Sequence, residues 1–294
     1  MVYFTSRSDA IQYLCKKKPE NFPEDEVRLM AQTSVSTTFD YSIPLEKQLP
    51  MIRKAGFSHV SFGMNYAHSG LLEEGNWNRL REQINENGLS VDTIHGYDLD
   101  REDSIELNAK LARAAKFFGA PVVVIHCTVF WFEDDEYEEK FRIVSGRIKE
   151  MEKIAKETGI RFAFENMVPG KPTDLCVEMV KMADPQYIGF CYDSSHDQID
   201  GPRPMDLLSE MKDRVIAVHL SDRIREFVDH VIPGEGFVHF DEILPLLKES
   251  SFRGPILMEV GVENSRYKDA EEILAKAHEA AEQFWNEVNI DGDK

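Results

Sequence analysis

The sequence predicts an α/β fold, a single (β/α)8 TIM barrel with a short N-terminal helical extension, and three observations lead there. Short apolar or β-branched runs alternate with amphipathic helical patterns at intervals of about 30 residues. Eight such runs follow one another, which favours closure into a barrel over an open doubly wound sheet. Several of the helical stretches end on a glycine, as helix C-termini commonly do.

The predicted strands are LMAQTSV (29–35), HVSFG (59–63), SVDTIHG (90–96), PVVVIHC (121–127), IRFAFEN (160–166), YIGFCYD (187–193), VIAVHLS (215–221) and PILMEVG (255–261). Between them lie helical stretches such as PLEKQLPMIRKAG, NWNRLREQINENG, SIELNAKLARAAKFFG, EEKFRIVSGRIKEMEKIAKETG and FDEILPLLKESSFRG, and the chain closes on KDAEEILAKAHEAAEQFWNEV. Gly56, Gly88, Gly119, Gly159 and Gly254 are the expected helix ends. Strand, helix and glycine repeated in this way are parallel strands joined by crossover helices. Residues 1–26 are expected to form the extension, and residues 27–294 the barrel. Neither GxGxxG after the first strand nor GxxxxGK[ST] anywhere is present, so dinucleotide and P-loop sites lose their main support.

Composition narrows the partners. The 294 residues carry 53 acidic against 34 basic side chains, a net charge of −19, and no Lys/Arg block longer than that in CKKKP. Such a surface repels polyanions, which disfavours nucleic acid. The chain has no apolar run of the roughly 18 residues that a membrane span needs. The first residues lack a basic-then-apolar signal pattern, and four scattered cysteines (15, 127, 176 and 191) form no CxxC pair. A cytoplasmic location is expected.

In a barrel of this type the chemistry sits at the C-terminal ends of the strands. Those ends carry His95 on strand 3, His126 on strand 4, Glu165 on strand 5, Asp193 with His196 beyond it on strand 6, His219 with Asp222 beyond it on strand 7, and Glu259 on strand 8. Turn chemistry accounts for one or two polar strand ends, but Glu165 in FAFEN and Glu259 in ILMEV are flanked by apolar residues. A buried unpaired carboxylate costs several kcal/mol, and no Lys or Arg stands among these positions, so a shared cation is the economical partner. Histidine with carboxylate suits Zn²⁺, Mn²⁺, Fe²⁺ or Co²⁺. Cys127 and Cys191 are expected to turn away from the liganding face and to pack.

The pieces FEN, CYDSSH, VHLSD, DHVIPGEG and GPILMEV, in this order, resemble the xylose isomerase-like, metal-dependent barrel superfamily over about residues 30–285. That superfamily holds sugar isomerases and epimerases, inosose dehydratases and zinc-dependent AP endonucleases. The resemblance implies one divalent metal (Mn²⁺, Zn²⁺, Co²⁺, Fe²⁺ or Mg²⁺) held by Glu165, Asp193, His219 and Glu259. It also implies that Glu165 and Glu259 act as the acid and base pair. In the endonuclease branch, further Zn²⁺ is held by residues matching His95 and His126 with Glu165, and by residues matching His196 and His230 with an Asp two positions before the latter. That position is Val228 here, with Asp229 adjacent to it. The departure, together with the acidic charge, favours a small polyhydroxylated substrate over DNA, with His95, His126, His196 and His230 as its contacts.

The activity so implied is a divalent-metal-dependent sugar or sugar-phosphate isomerase or epimerase. A metal polarises a hydroxy-ketone, a carboxylate removes the acidified proton, and the enediolate is reprotonated at another carbon or on the opposite face. Loss of a β-hydroxyl instead gives inosose-type dehydration, and an AP endonuclease-like phosphodiesterase is the other alternative. Trp131 and Phe132 wall a sugar or form dimer contacts, a homodimer being common for such barrels. Asn65, Tyr66 and His68 either cover the pocket or are ordinary loop residues. Arg223 and Arg225 leave a phosphorylated substrate open, while Asp222 and Glu235 orient ligands or cap helices.

Overall fold

A computed structural model describes residues 31–197, 206–226 and 229–289 of the chain. The predicted extension 1–26, and Val228, lie outside the described residues. Eight parallel strands are present among those described: β1 Thr33–Ser36, β2 His59–Phe62, β3 Ser90–His95, β4 Val122–His126, β5 Arg161–Glu165, β6 Ile188–Asp193, β7 Val215–His219 and β8 Ile256–Met258. They are hydrogen-bonded in the order β7-β6-β5-β4-β3-β2-β1-β8. A parallel bridge between Leu220 and Met258 joins the two ends of that sheet. The result is a (β/α)8 TIM barrel.

The crossover helices are α1 Leu45–Ala55, α2 Trp77–Glu86, α3 Ser104–Phe118, α4 Tyr137–Thr158, α5 Lys171–Met182, α6 Asp206–Met211 and α7 Phe240–Glu249, followed by the closing helix α8 Ala270–Asn289. Gly56, Gly119 and Gly159 cap α1, α3 and α4 in the left-handed conformation. Gly254 does not cap α7: the helix stops at Ser250, whose extended backbone and hydroxyl, bonded to Leu247 O at 2.7 Å, turn the chain first.

Strand alternation divides the core into two layers. Val35, Val60, Phe62, Val91, Val123, Phe162, Phe164, Phe190 and Met258 face outward into a continuous apolar shell with the helices. Each such side chain, once fully buried, contributes roughly 1.5–3 kcal/mol. The opposite faces fill the barrel with a small cluster of Val122, Val124, Ala163, Cys191 and Ala217. Ser34, Ser61, Asp92 and Thr93 share this interior between outer-shell residues of their strands, with Ser61 Oγ 2.6 Å from Thr93 Oγ1. The register shift between β2 and β3 lets both Asp92 and Thr93 face inward between Val91 and Ile94. The register carries the same alternation up to the rim, where His126 stands beside Glu165 and Asp193 beside His219. No helix among the described residues is long and apolar enough to cross a membrane.

Candidate metal centre

Glu165 is the hub of the rim. Its Oε2 lies 3.2 Å from His95 Nε2 and 3.6 Å from His126 Nε2. Its Oε1 lies 3.2 Å from His219 Nδ1 and 3.6 Å from His196 Nδ1. His219 Nδ1 also meets Glu259 Oε2 at 2.6 Å, so one ring nitrogen joins carboxylates from β5 and from the end of β8. Burial alone would raise the Glu165 carboxyl, but the His219 charge and hydrogen bonds from His126, His219 and His95 outweigh it and hold it well below the usual range. Burial is likewise outweighed at Glu259, where His219 brings the carboxyl down to about 2. In the other direction, burial would lower His219, yet Cys191, Glu165 and Glu259 hold it well above the usual histidine value. The two carboxylates therefore favour positive charge beside them, at His219 above all.

Two buried atoms indicate that a cation fits there. Asp193 Oδ1 accepts from Ser195 N, Ser195 Oγ and His196 N, but its Oδ2 has no hydrogen-bond partner. His196 Nδ1 donates to Asn166 O at 2.9 Å, which leaves Nε2 buried and without a partner as well. Buried polar atoms are rarely left in that condition without an ion or water to complete them. Glu165, Asp193, His219 and Glu259 each offer a ligand atom within 4.8 Å of the others, the four residues that the family resemblance implied. Two further triads meet the same limit: His95 with Glu165 and His219, and Asp193 with His196 and His230. Three carboxylates and imidazoles without a thiolate form a donor set for Zn²⁺, Mn²⁺, Fe²⁺ or Co²⁺.

The other expected residues fall in distinct places. His126 is held by Asp98, with Nδ1 to Oδ1 at 3.0 Å, and it joins none of these groupings. The His95 triad is therefore completed by His219. Burial would lower His126, but the bond to Asp98 and the Glu165 carboxylate push it up to about 10. His230 adopts φ 45°, a left-handed backbone uncommon for a side-chain-bearing residue. Ser221 Oγ holds its Nδ1 at 3.0 Å, and its carbonyl accepts from Gly261 N. Asp229 does not replace the missing aspartate, because its Oδ2 accepts from Ile224 N, Arg225 N and Glu226 N.

Asp222 and Glu235 brace loops. The Asp222 carboxylate accepts from the amides of Arg223, Gly234, Gly236 and Val238, and a Cβ at Gly236 would sit 2.0 Å from Arg223 O. Glu235 ties the loop to Ser265 and Arg266. Arg223 Nη1 bonds Ser195 O and its guanidinium covers Phe237, so it is turned into the fold. Cys191 corrects an expectation. It lies two residues before Asp193 on the same strand, hence on the same face, and its buried thiol meets His219 from below. Cys127 does pack outward, beside Cys176.

Sequence reasoning missed Asp98, Asn166 and Phe130. Asn166 accepts from Asp193 N and donates to Asp193 O, fixing β5 to β6 at the site. Phe130 stands edge-on to both His126 and His196. A polar residue directly after Glu165 in FEN was the one available signal.

Comparison with known proteins agrees with this architecture. The family described as the xylose isomerase-like TIM barrel matches residues 49–284. The chain belongs to that family. Among solved structures, the IolI protein with a bound zinc atom superposes with a TM-score of 0.72 at 17% identity, over 88% of this chain and 100% of that one. A D-tagatose 3-epimerase-like protein gives 0.70 at 20% identity, over 88% and 98%. At the sequence level, the uncharacterized protein y4fM of Sinorhizobium fredii is 23% identical over 280 residues, 81% of this chain and 90% of that protein. Inosose dehydratase 2 of Bacillus cereus is 26% identical over 141 residues, which cover 42% of this chain and 47% of the dehydratase.

Proposed function

We propose that the chain is a divalent-metal-dependent isomerase or epimerase of a small polyhydroxylated ketone. The observation that carries this reading is the meeting of Glu165 and Glu259 at one nitrogen of His219, beside the unpartnered Asp193 Oδ2. Glu165, Asp193, His219 and Glu259 would hold the metal, which when bound polarises a carbonyl and acidifies the neighbouring C–H. The residues supply the remainder. Glu165 and Glu259 are both held ionised, so either can accept a proton at a carboxylate oxygen. Glu259 borders the cavity open to a ligand, whereas Glu165 is enclosed by four histidines, so Glu259 is the first acceptor. The proton returned from the other side comes from protonated His126, whose Nε2 lies 3.6 Å from Glu165 Oε2 and which passes it on through that carboxylate. His95, His126, His196 and His230 surround the reacting group and hydrogen-bond its hydroxyls, His196 accepting at Nε2 because its Nδ1 donates to Asn166 O. Asp98 and Asn166 hold two of those rings in place.

A second reading, dehydration by loss of a β-hydroxyl, draws on the likeness to the Bacillus cereus inosose dehydratase. Both readings begin with proton abstraction, and one experiment separates them. The metal-loaded protein is incubated with candidate ketoses and inososes in D₂O. Deuterium entering a recovered sugar of unchanged formula supports isomerisation or epimerisation, while loss of water supports dehydration. Exchange that persists in both Glu165→Gln and Glu259→Gln removes the proposed roles.

A further inference from the structure

A cavity of about 430 Å³ leads away from Glu259 and His230 between the loops that follow β1 and β8. Its inner end is the proposed reaction centre. Its outer end is lined by Asp40, Tyr41, Glu263 and Asn264, and Tyr41, Glu263 and Asn264 are exposed. The two walls are tied together by Val262 N bonding Phe39 O at 3.0 Å, and Asn264 Nδ2 reaches Asp229 O at 3.3 Å. Pockets of roughly 300–1,000 Å³ accept drug-sized ligands, so this one is roomy for a single six-carbon sugar whose reacting end already sits on the metal ligands.

Tyr41 is built into this wall. Its ring stands edge-on to His68 with centroids 5.2 Å apart, and its hydroxyl accepts from Asn65 N at 3.4 Å. His68 is fixed in turn by Ile43 O at 2.8 Å. A Cβ at Gly63 would lie 2.3 Å from the Tyr41 hydroxyl, so the glycine after β2 makes room for the phenol. Asn65 and His68 therefore brace this tyrosine. An aromatic face offers a surface to sugar C–H groups, and carboxylates and an amide accept and donate to hydroxyls. The side chains lining the cavity include Asp40, Glu259 and Glu263, and the ammonium of Lys268 is held against the carbonyls of Val262 and Glu263, so the lining is acidic and disfavours phosphate or carboxylate.

We propose that this cavity is a subsite for a second carbohydrate unit, so that the substrate is an uncharged glycoside of the ketose and not a free or phosphorylated sugar. The inference rests on the sugar reading of the same metal centre. The test is calorimetric titration of the Mn²⁺-loaded and the metal-stripped protein with D-fructose, lactulose (the same ketose carrying a galactosyl unit) and D-fructose 6-phosphate. Lactulose is expected to bind about tenfold tighter than fructose, the phosphate more weakly than fructose. Tyr41→Ala should reduce the lactulose preference to about twofold while Tyr41→Phe retains it, and Gly63→Ala should lower it by displacing the phenol. Lactulose no tighter than fructose, a preference that survives Tyr41→Ala, or tightest binding of the phosphate overturns the subsite. Metal-dependent binding of fructose in those cases leaves the sugar reading standing, whereas no metal-dependent binding of any of the three overturns both.

Discussion

The rim of the barrel has two unlike parts. From β3 round to β8, every strand end delivers an imidazole or a carboxylate to one cluster: His95, His126, Glu165, Asp193, His219 and Glu259. β1 and β2 end on Ser36 and Phe62 and continue into Tyr41, Asn65 and His68, which form a wall. The larger part concentrates charge that burial makes costly, and it does so with no Lys or Arg at those strand ends. The smaller part carries shape. The proposed chemistry and the proposed selectivity thus fall to different strands, and variants on each side should fail in different ways.

The largest effect is expected from Glu165→Gln. It removes the carboxylate shared by four histidines and by two of the three ligand groupings. Metal content by elemental mass spectrometry should fall from about one ion per chain to near none, and hydrogen exchange into a ketose should cease. His219→Ala should do the same, and either variant keeping full metal content would take its residue out of the site. A smaller loss is expected for Asp98→Asn, which weakens the charged hold on His126 without touching the metal ligands. Turnover should drop roughly 10–100-fold at unchanged metal content, the usual effect of removing a supporting partner. Loss of metal in that variant would mean that His126 is a ligand after all.

The contrast between the two parts of the rim was only half legible in the sequence. Glu165 and Glu259 were conspicuous because a carboxylate inside an apolar strand has few innocent explanations. The strands themselves were readable because a parallel barrel strand is apolar on both faces and its helices are amphipathic. Asp98 and Asn166 were not singled out, since a polar residue just beyond a strand is ordinary turn chemistry until its partner across the barrel is known. Tyr41 was invisible for the same reason: its role depends on Gly63 and His68, which the register brings near it. Cys191 was misread through counting, because two residues along a strand return to the same face.

A titration tests the electrostatics of the larger part. In the metal-free chain, burial opposes the charge on His219, but Cys191, Glu165 and Glu259 hold its pKa well above 6.5. Below that raised value a cation must displace a proton, so affinity should rise with pH, by about tenfold per unit for one proton released. Binding of Mn²⁺ or Zn²⁺ measured between pH 6 and 8 checks this, and a flat profile would remove His219 from the ligand set.

The smallest effect on the rim should come from beneath it. Asp92, in the barrel interior on β3, is pushed up to about 7 by burial, with the Ser34 bond and His219 offsetting only part. A carboxyl raised in the folded state holds its proton where the unfolded chain has released it. Stability is therefore lost as pH climbs from about 4 towards 7, by an amount on the order of 4 kcal/mol once both states are ionised. Asp92→Asn keeps the size and the hydrogen-bonding capacity and removes the titration. Its Tm should exceed that of the parent by several degrees at pH 8 and match it near pH 4, with metal content and sugar binding unchanged. An equal pH slope in both proteins would place the titrating carboxyl elsewhere. Metal lost from Asp92→Asn would show that the barrel interior supports the ligands from below, and the division of labour would then run through its depth as well as around its rim.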